Sequence, residues 1–310
     1  MEIIGITTYA MDILTQVDAL PSEDGFAVVT GTSYLPGGSG TNVLVQAARL
    51  GANCRFLGKV GDDPLGKDIL KNLVSESINI SDVLVMENGT SLHTNIVVDR
   101  NGRKFILLNM GNAFTGFLPE DINEGVFKQG NVYYSDLLPY PAARKGFRLA
   151  RAAGMKTAFN LQVGLETMSG FGVTKEMILD TLKEVDLFAP CRDGLYALCH
   201  TRNLKECLTF LRPYFAGTLV VTLGDQGAVV FDSQDRRFDQ PVRKVKVVDT
   251  TGAGDSFMGA MLAVHLVNEA PLPEALCYAA VCASETCAGI GARCGPDRTA
   301  VEKILRQEAF

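Results

Sequence analysis

With 310 residues, 47% of them hydrophobic and 21% charged, the chain has the length and apolar content of one large α/β domain with a well-buried core, and two domains also fit. A formal charge of −6 and a pI near 5.2 leave no electrostatic footprint for nucleic acid or acidic membranes, and no basic run exceeds a few residues. A small-molecule partner is the expectation.

No charged-then-apolar segment precedes the first strand, and no apolar stretch reaches the roughly 18 residues of a membrane span, so a cytoplasmic protein is expected. The eight cysteines show no Cys-x-x-Cys spacing, and four of them fall in an apolar C-terminal region, which reads as buried thiols rather than disulfides or zinc ligands. Histidines 93, 200 and 265 form no metal spacing.

Glu2–Ile6 reads as a first strand, followed by Asp12, which suits either a ligand or an ordinary turn. Ile13–Val17 and Phe26–Thr30 are β-type segments broken by Pro21, Asp24 and Gly25, and suggest a small antiparallel sheet inserted early. Pro36-Gly37-Gly38-Ser39-Gly40-Thr41-Asn42 then opens a helix that Gly51 stops. Asn42 offers a donor and an acceptor, as recognition of a polyol hydroxyl requires, although a plain loop and helix cap account for the same residues.

Gly61-Asp62-Asp63-Pro64-Leu65-Gly66-Lys67-Asp68 imitates a P-loop but ends in Asp and places two carboxylates against the phosphates, so it reads as a structural turn. Residues 90–108 predict a hairpin turning at Asp99–Gly102. Paired with the strands of 13–35, it would form a lid over Asp12 and Asn42, with His93 and Asn95 able to face a ligand. The lid's edges could also pair with a second copy, giving a homodimer.

Near the C-terminal third, Val245, Val247 and Val248 read as a strand and Phe257–Val264 as a buried helix. Between them lies Asp249-Thr250-Thr251-Gly252-Ala253-Gly254-Asp255-Ser256, whose glycines allow a sharp turn and leave backbone amides free to face an anion. A carboxylate beside an anion hole suits acceptance of a proton from an incoming hydroxyl, so Asp255 points to a kinase acting on an alcohol. A tight turn with Asp as a cap is the plain alternative.

The Gly-Gly-x-x-x-Asn helix start, the Gly58-x-Val60-Gly61-x-Asp63-x-x-Gly66 stretch and Asp-Thr-Thr-Gly-Ala-Gly-Asp-Ser-Phe occur in one order over residues 3 to 305. In this the chain resembles the ribokinase-like (PfkB) carbohydrate kinases. The resemblance implies an α/β fold of three layers, α/β/α, around a central mostly parallel sheet, with a small β-sheet lid. Residues 1–12, 36–89 and 109–310 would form the large domain, and 13–35 and 90–108 the lid.

It further implies Asp255 as base and the amides of Gly252, Ala253 and Gly254 as cradle for the transferred phosphate. Asp12, Gly37, Gly38 and Asn42 would bind a sugar or polyol, and Thr222, Gly224 and Gly227 would neighbour ATP. Asp249, Thr251 and Gly291 correspond to a monovalent-cation site for K+, and Mg2+ would accompany ATP.

Two departures stand out. Cys191 and Gly194 occupy the family's Asn-x-x-Glu positions, which help position magnesium, and Asn160-Leu161-Gln162 stands where many members have Asp-x-Asn. The expectation is an active ATP-dependent sugar kinase with altered magnesium handling. Its competitor is a non-catalytic sugar- or nucleotide-binding regulatory protein. A dinucleotide enzyme is disfavoured because no Gly-x-Gly-x-x-Gly follows the first strand.

Overall fold

The computed structural model describes residues 1–307. In chain order the strands are β1 (Glu2–Ile6), β2 (Ala10–Val17), β3 (Val29–Gly37), β4 (Asn53–Gly61), β5 (Ile78–Asn79), β6 (Val83–Met86), β7 (His93–Val98), β8 (Lys104–Asn109), β9 (Val132–Ser135), β10 (Lys156–Phe159), β11 (Leu187–Phe188), β12 (Thr218–Thr222), β13 (Ala228–Phe231) and β14 (Arg237–Gln240). Among the described residues, one sheet runs β14-β13-β12-β11-β10-β9-β1-β4-β5, with β6 also beside β4.

Its strands pair in parallel from β12 through to β5, and only β13 and β14 join antiparallel at one edge. Apolar side chains on both faces explain why helices cover both: Ile3, Ile4, Tyr133, Tyr134, Leu219 and Val221 are all fully enclosed. One flank is fastened by aromatic rings in series, Phe147 to Phe159 at 6.4 Å, Phe159 to Phe188 at 5.2 Å and Phe188 to Phe215 at 5.9 Å between centroids. Parallel strands place their C-terminal ends on one side, and ligands of open α/β sheets bind there.

The four-stranded second sheet has the order β3-β2-β7-β8. Its strand β2 pairs antiparallel with β3 and parallel with β7, in a register that sets Asp12 opposite Thr94. Asp12, expected at the end of the large domain, therefore lies within a lid strand. Every residue of β8 is exposed, including Ile106 at 52% and Leu107 at 59%.

Several sequence readings differ from the structure: the strand expected at Phe26–Thr30 begins only at Val29 and runs to Gly37, Phe26 and Val28 being exposed, and the lid sheet expected to be antiparallel is mixed because β2 and β7 pair in parallel. Val245, Val247 and Val248 form no strand; Val245 lines a cavity and Val247 is 59% exposed, so the β-branched run is cavity wall rather than ladder. Cys294, grouped with buried thiols, is exposed. The expected apolar helix is present as Ala253–Ala260 and continues as a buried π-helical stretch, Met261–Val267. The Asp63 carboxylate accepts from the Gly66 amide at 2.7 Å and from the Ser91 amide at 2.8 Å, so the P-loop imitation is a helix cap tied to the lid hairpin.

Candidate active site

The turn from Asp249 to Asp255 shows why glycine is needed there. Gly252 has a φ of 78°, and a Cβ on it would stand 2.4 Å from the Ala292 carbonyl oxygen. Gly254 is the opposite case, since a Cβ there would meet nothing within 4 Å. It lines the largest and the smallest of three neighbouring spaces.

One cavity, of about 310 Å³, is lined by Asp12, Gly38, Asn42, Gly252 and Asp255. A larger one, of about 660 Å³, is lined by Thr222, Gly224, Gly227, Ala253 and Gly254. Between them a space of about 130 Å³ shares Asp255 and Gln162 with the first, and Thr222 and Gly254 with the second. The start of the Ala253–Ala260 helix thus forms a wall common to all three.

Asn42 Nδ2 donates to Asp255 Oδ2 at 2.9 Å, and Asn42 Oδ1 accepts from Arg293 Nε at 2.8 Å. A guanidinium can only donate, so the amide oxygen must face Arg293 and its NH2 must face the carboxylate. Arg293 Nη2 also donates to the Gly37 carbonyl at 2.9 Å and Thr41 Oγ1 at 3.0 Å, and Nη1 bonds Asn72 Oδ1. Sequence reasoning missed Arg293, whose partners lie more than 220 positions away.

Burial pushes the Asp255 carboxyl up to about 7; the Asn42 hydrogen bond opposes the rise, Asp136 adds to it and Arg293 counters it. Burial likewise pulls the Arg293 guanidinium down to about 10. Asp136, also missed, follows β9 directly and is buried. Its Oδ2 accepts from the Thr8 amide at 2.9 Å and from Thr8 Oγ1 at 2.5 Å. A carboxylate at the C-terminal end of a buried parallel strand was the signal available for it.

Not every expected residue reaches the cavity. Gly37 packs behind Asp12, where a Cβ would come 2.2 Å from Asp12 Oδ2, and does not line the cavity. His93 and Asn95 are also absent from its lining; Thr94, between them, is the residue that faces in. Thr94 Oγ1 donates to Asp12 Oδ1 at 2.5 Å, while His93 Nδ1 lies 2.9 Å from the Ser91 carbonyl. Alternation along the strand puts His93 and Asn95 on the face opposite to Thr94.

Asp249, Thr251 and Gly291 do come together. Asp249 Oδ1 accepts from the Thr251 amide at 3.0 Å and Thr251 Oγ1 at 2.7 Å, and Oδ2 accepts from the Gly291 amide at 3.0 Å. Burial alone would raise the Asp249 carboxyl, but these bonds hold it below its usual range. At the position of the missing Asn-x-x-Glu, Cys191 caps the Arg192–Cys199 helix, its sulfur accepting from the Gly194 amide at 3.3 Å. Nearby, Gln162 Nε2 donates to Asn160 Oδ1 at 3.0 Å.

Residues 1–298 match the profile described as pfkB family carbohydrate kinase. The chain belongs to the pfkB family of carbohydrate kinases. This kinase is 31% identical to mouse ribokinase over 231 residues, 73% of its own length and 69% of the relative's. It is 26% identical over 315 residues to a bifunctional ribokinase/ribose-5-phosphate isomerase A of Fructilactobacillus sanfranciscensis, spanning 56% of that protein's length.

Arabidopsis thaliana ribokinase, solved with ribose and ATP, superposes with a TM-score of 0.84 at 22% identity over 98% of each chain. An E. coli structure solved with ATP and Mg2+ gives 0.87 at 19% identity over 99% of each. These likenesses establish the fold of the kinase: a mostly parallel sheet with helices and a separate small sheet.

Proposed function

We propose that this chain is a working ATP-dependent kinase that transfers the γ-phosphoryl group to a hydroxyl of a sugar or sugar-like polyol. The supporting observation is the position of Asp255, which lines the 310 Å³ cavity and the small space that joins it to the 660 Å³ one, with burial pushing its carboxyl up to about 7. The acceptor hydroxyl lies in the 310 Å³ cavity against Asp12 and Asn42, and ATP in the 660 Å³ one beside Thr222, Gly224 and Gly227. Asp255 takes the hydroxyl proton as the oxygen attacks, and the amides of Gly252, Ala253 and Gly254 stabilise the charge on the transferring group. Asn42, held by Arg293, is a positioning residue that presents its NH2 to the base.

Mg2+ accompanies ATP in this reading, and its chemistry when bound is to neutralise phosphate charge. Asn160, Gln162 and Cys191 around the small space supply no carboxylate for the metal's outer network, so no step is routed through it. The Asp249, Thr251 and Gly291 group is the candidate for a monovalent cation; comparing rates in K+ and in tetramethylammonium salts tests that.

A second reading, a binding protein without chemistry, is favoured by Cys191 and Gly194 alone. ADP release across pentoses, hexoses, nucleosides and cyclitols, measured from pH 5.5 to 9, decides between them. A working base with a pKa raised to about 7 is protonated below that value, so kcat/KM should fall on an acid limb near pH 7. Asp255→Asn should lose roughly 100- to 10,000-fold. Sugar binding by calorimetry with no ADP release, unchanged in Asp255→Asn, would establish the binding reading instead.

A further inference from the structure

The charge of the smaller cavity narrows the acceptor class, an inference that rests on the kinase reading of the same site. Three carboxylates line it from three separate elements: Asp12 from β2, Asp136 from the end of β9 and Asp255 from the helix start. None of its lining residues is Lys or Arg. Arg293 stands behind Asn42 with Nε, Nη1 and Nη2 all donating to protein acceptors, so binding an anion would break bonds already made. Lys104 on β8 is exposed and acts on Asp12 only through its charge.

Of the three turn amides that would attract the transferring phosphate, Ala253 and Gly254 face the nucleotide cavity and only Gly252 borders this one. Beside uncharged polar groups such as Thr94 and Gln162, the lining includes an apolar set, Leu138, Val163, Met168 and Phe171 with Leu108 and Met110 of the lid region. The cavity therefore combines an acceptor-rich edge, suited to hydroxyl and amine donors, with a surface suited to a hydrocarbon or ring face.

We infer that the acceptor is an uncharged or amine-bearing polyol with an apolar flank, and that sugar acids and sugar phosphates are rejected. Burial already holds all three carboxyls above their ordinary range, so an added anion meets either a negative charge or a group that must take up a proton. Like charges brought together without a counter-ion repel, so an acidic sugar should react at least about 100-fold less efficiently than its neutral parent.

The test uses the full chain with matched probes: D-glucose, D-glucosamine, D-glucuronate and D-glucose 6-phosphate, and D-ribose, adenosine, D-ribonate and D-ribose 5-phosphate. ADP release and calorimetric binding without nucleotide are measured for each. The inference predicts that binding and turnover occur among the neutral and amine-bearing members and that the anions trail by about 100-fold or more. Asp12→Asn should shrink that gap by removing one of the three charges.

An anionic sugar matching or exceeding its neutral parent in kcat/KM would overturn the inference while leaving the kinase reading intact. Neutral sugars binding in preference to anions with no ADP release from any probe would sustain the charge selectivity while the kinase reading fails.

Discussion

Arg293 itself lines neither cavity and, in this reading, touches none of the reacting atoms, yet removing it should change how Asp255 titrates. The perturbation is Arg293→Met, which keeps much of the apolar stem and deletes the donors. Its Nε bond to Asn42 Oδ1, at 2.8 Å, is charge-assisted and is the contact that fixes which end of the carboxamide meets Asp255. Hydrogen bonds to charged groups contribute roughly 1.5–3 kcal/mol, so losing the oriented Asn42–Asp255 contact should lower kcat/KM by roughly 10- to 100-fold.

The direction on pH follows from the same two groups. The Asn42 hydrogen bond and the Arg293 charge both hold Asp255 below where burial alone would put it. Without them its pKa rises further above the unperturbed value, more of the base is protonated at a given pH, and the acid limb moves upward from about 7. The deficit should therefore be larger at pH 7 than at pH 9.

The assay is kcat/KM for ADP release across that range, alongside a melting curve, since Gly37, Thr41 and Asn72 also lose a donor. Arg293→Lys retains charge without the planar fork and should recover stability more than activity. In an Asn42→Ala background, Arg293→Met should move the acid limb by less than it does in the parent, because only the direct effect of its charge on Asp255 is then left to lose. A purely structural arginine would give a deficit constant with pH and additive with Asn42→Ala; that result refutes the positioning role.

Gly254→Ala places a methyl in open space at the cavity wall, where helix propensity favours Ala by about 1 kcal/mol, so the melting temperature should hold or rise while kcat/KM falls at least about tenfold. Retained activity would show that no phosphate approaches this amide. Cys191→Asn supplies a stronger helix cap, worth about 1 kcal/mol, and half of the missing Asn-x-x-Glu; the Mg2+ concentration for half-maximal rate should fall, and an unchanged Mg2+ dependence would count against the altered-magnesium reading. The exposed apolar row of β8 supports a homodimer through the lid, so Leu107→Lys should shift sedimentation from dimer to monomer; a monomeric parent chain would end that proposal.

What could be read from the chain was what the backbone encodes locally. The strand-like first segment, the glycine turn before Asp255 and the Gly-Gly helix start each require particular residues in a row, and the turn at Gly252 shows the positive φ that requires glycine. What could not be read depended on partners far along the chain. The alternation of β7 defines two faces, but only its pairing with β2 decides that Thr94 rather than His93 or Asn95 looks inward. Val245–Val248 have the composition of a strand, and nothing in propensity separates a ladder from the lining of a cavity.

The same division bears on how the site can tolerate its departures. In the proposed reading the anion-facing part is supplied by peptide amides, which persist under side-chain substitution as long as the glycine turn holds its shape. The orientation of the base is carried by side chains instead, Asn42 and Arg293, spanning 251 positions. Magnesium positioning would be side-chain-borne too in that reading, and it is there that Cys191 and Gly194 differ from the family pattern. A chain losing its chemistry altogether would have no physical reason to keep a buried carboxylate near neutrality beside two of the three cavities, since such a group destabilises the fold when ionised. The buried, ionisable part of the site is therefore the part that argues for turnover, and the altered metal network bears on how much Mg2+ that turnover needs.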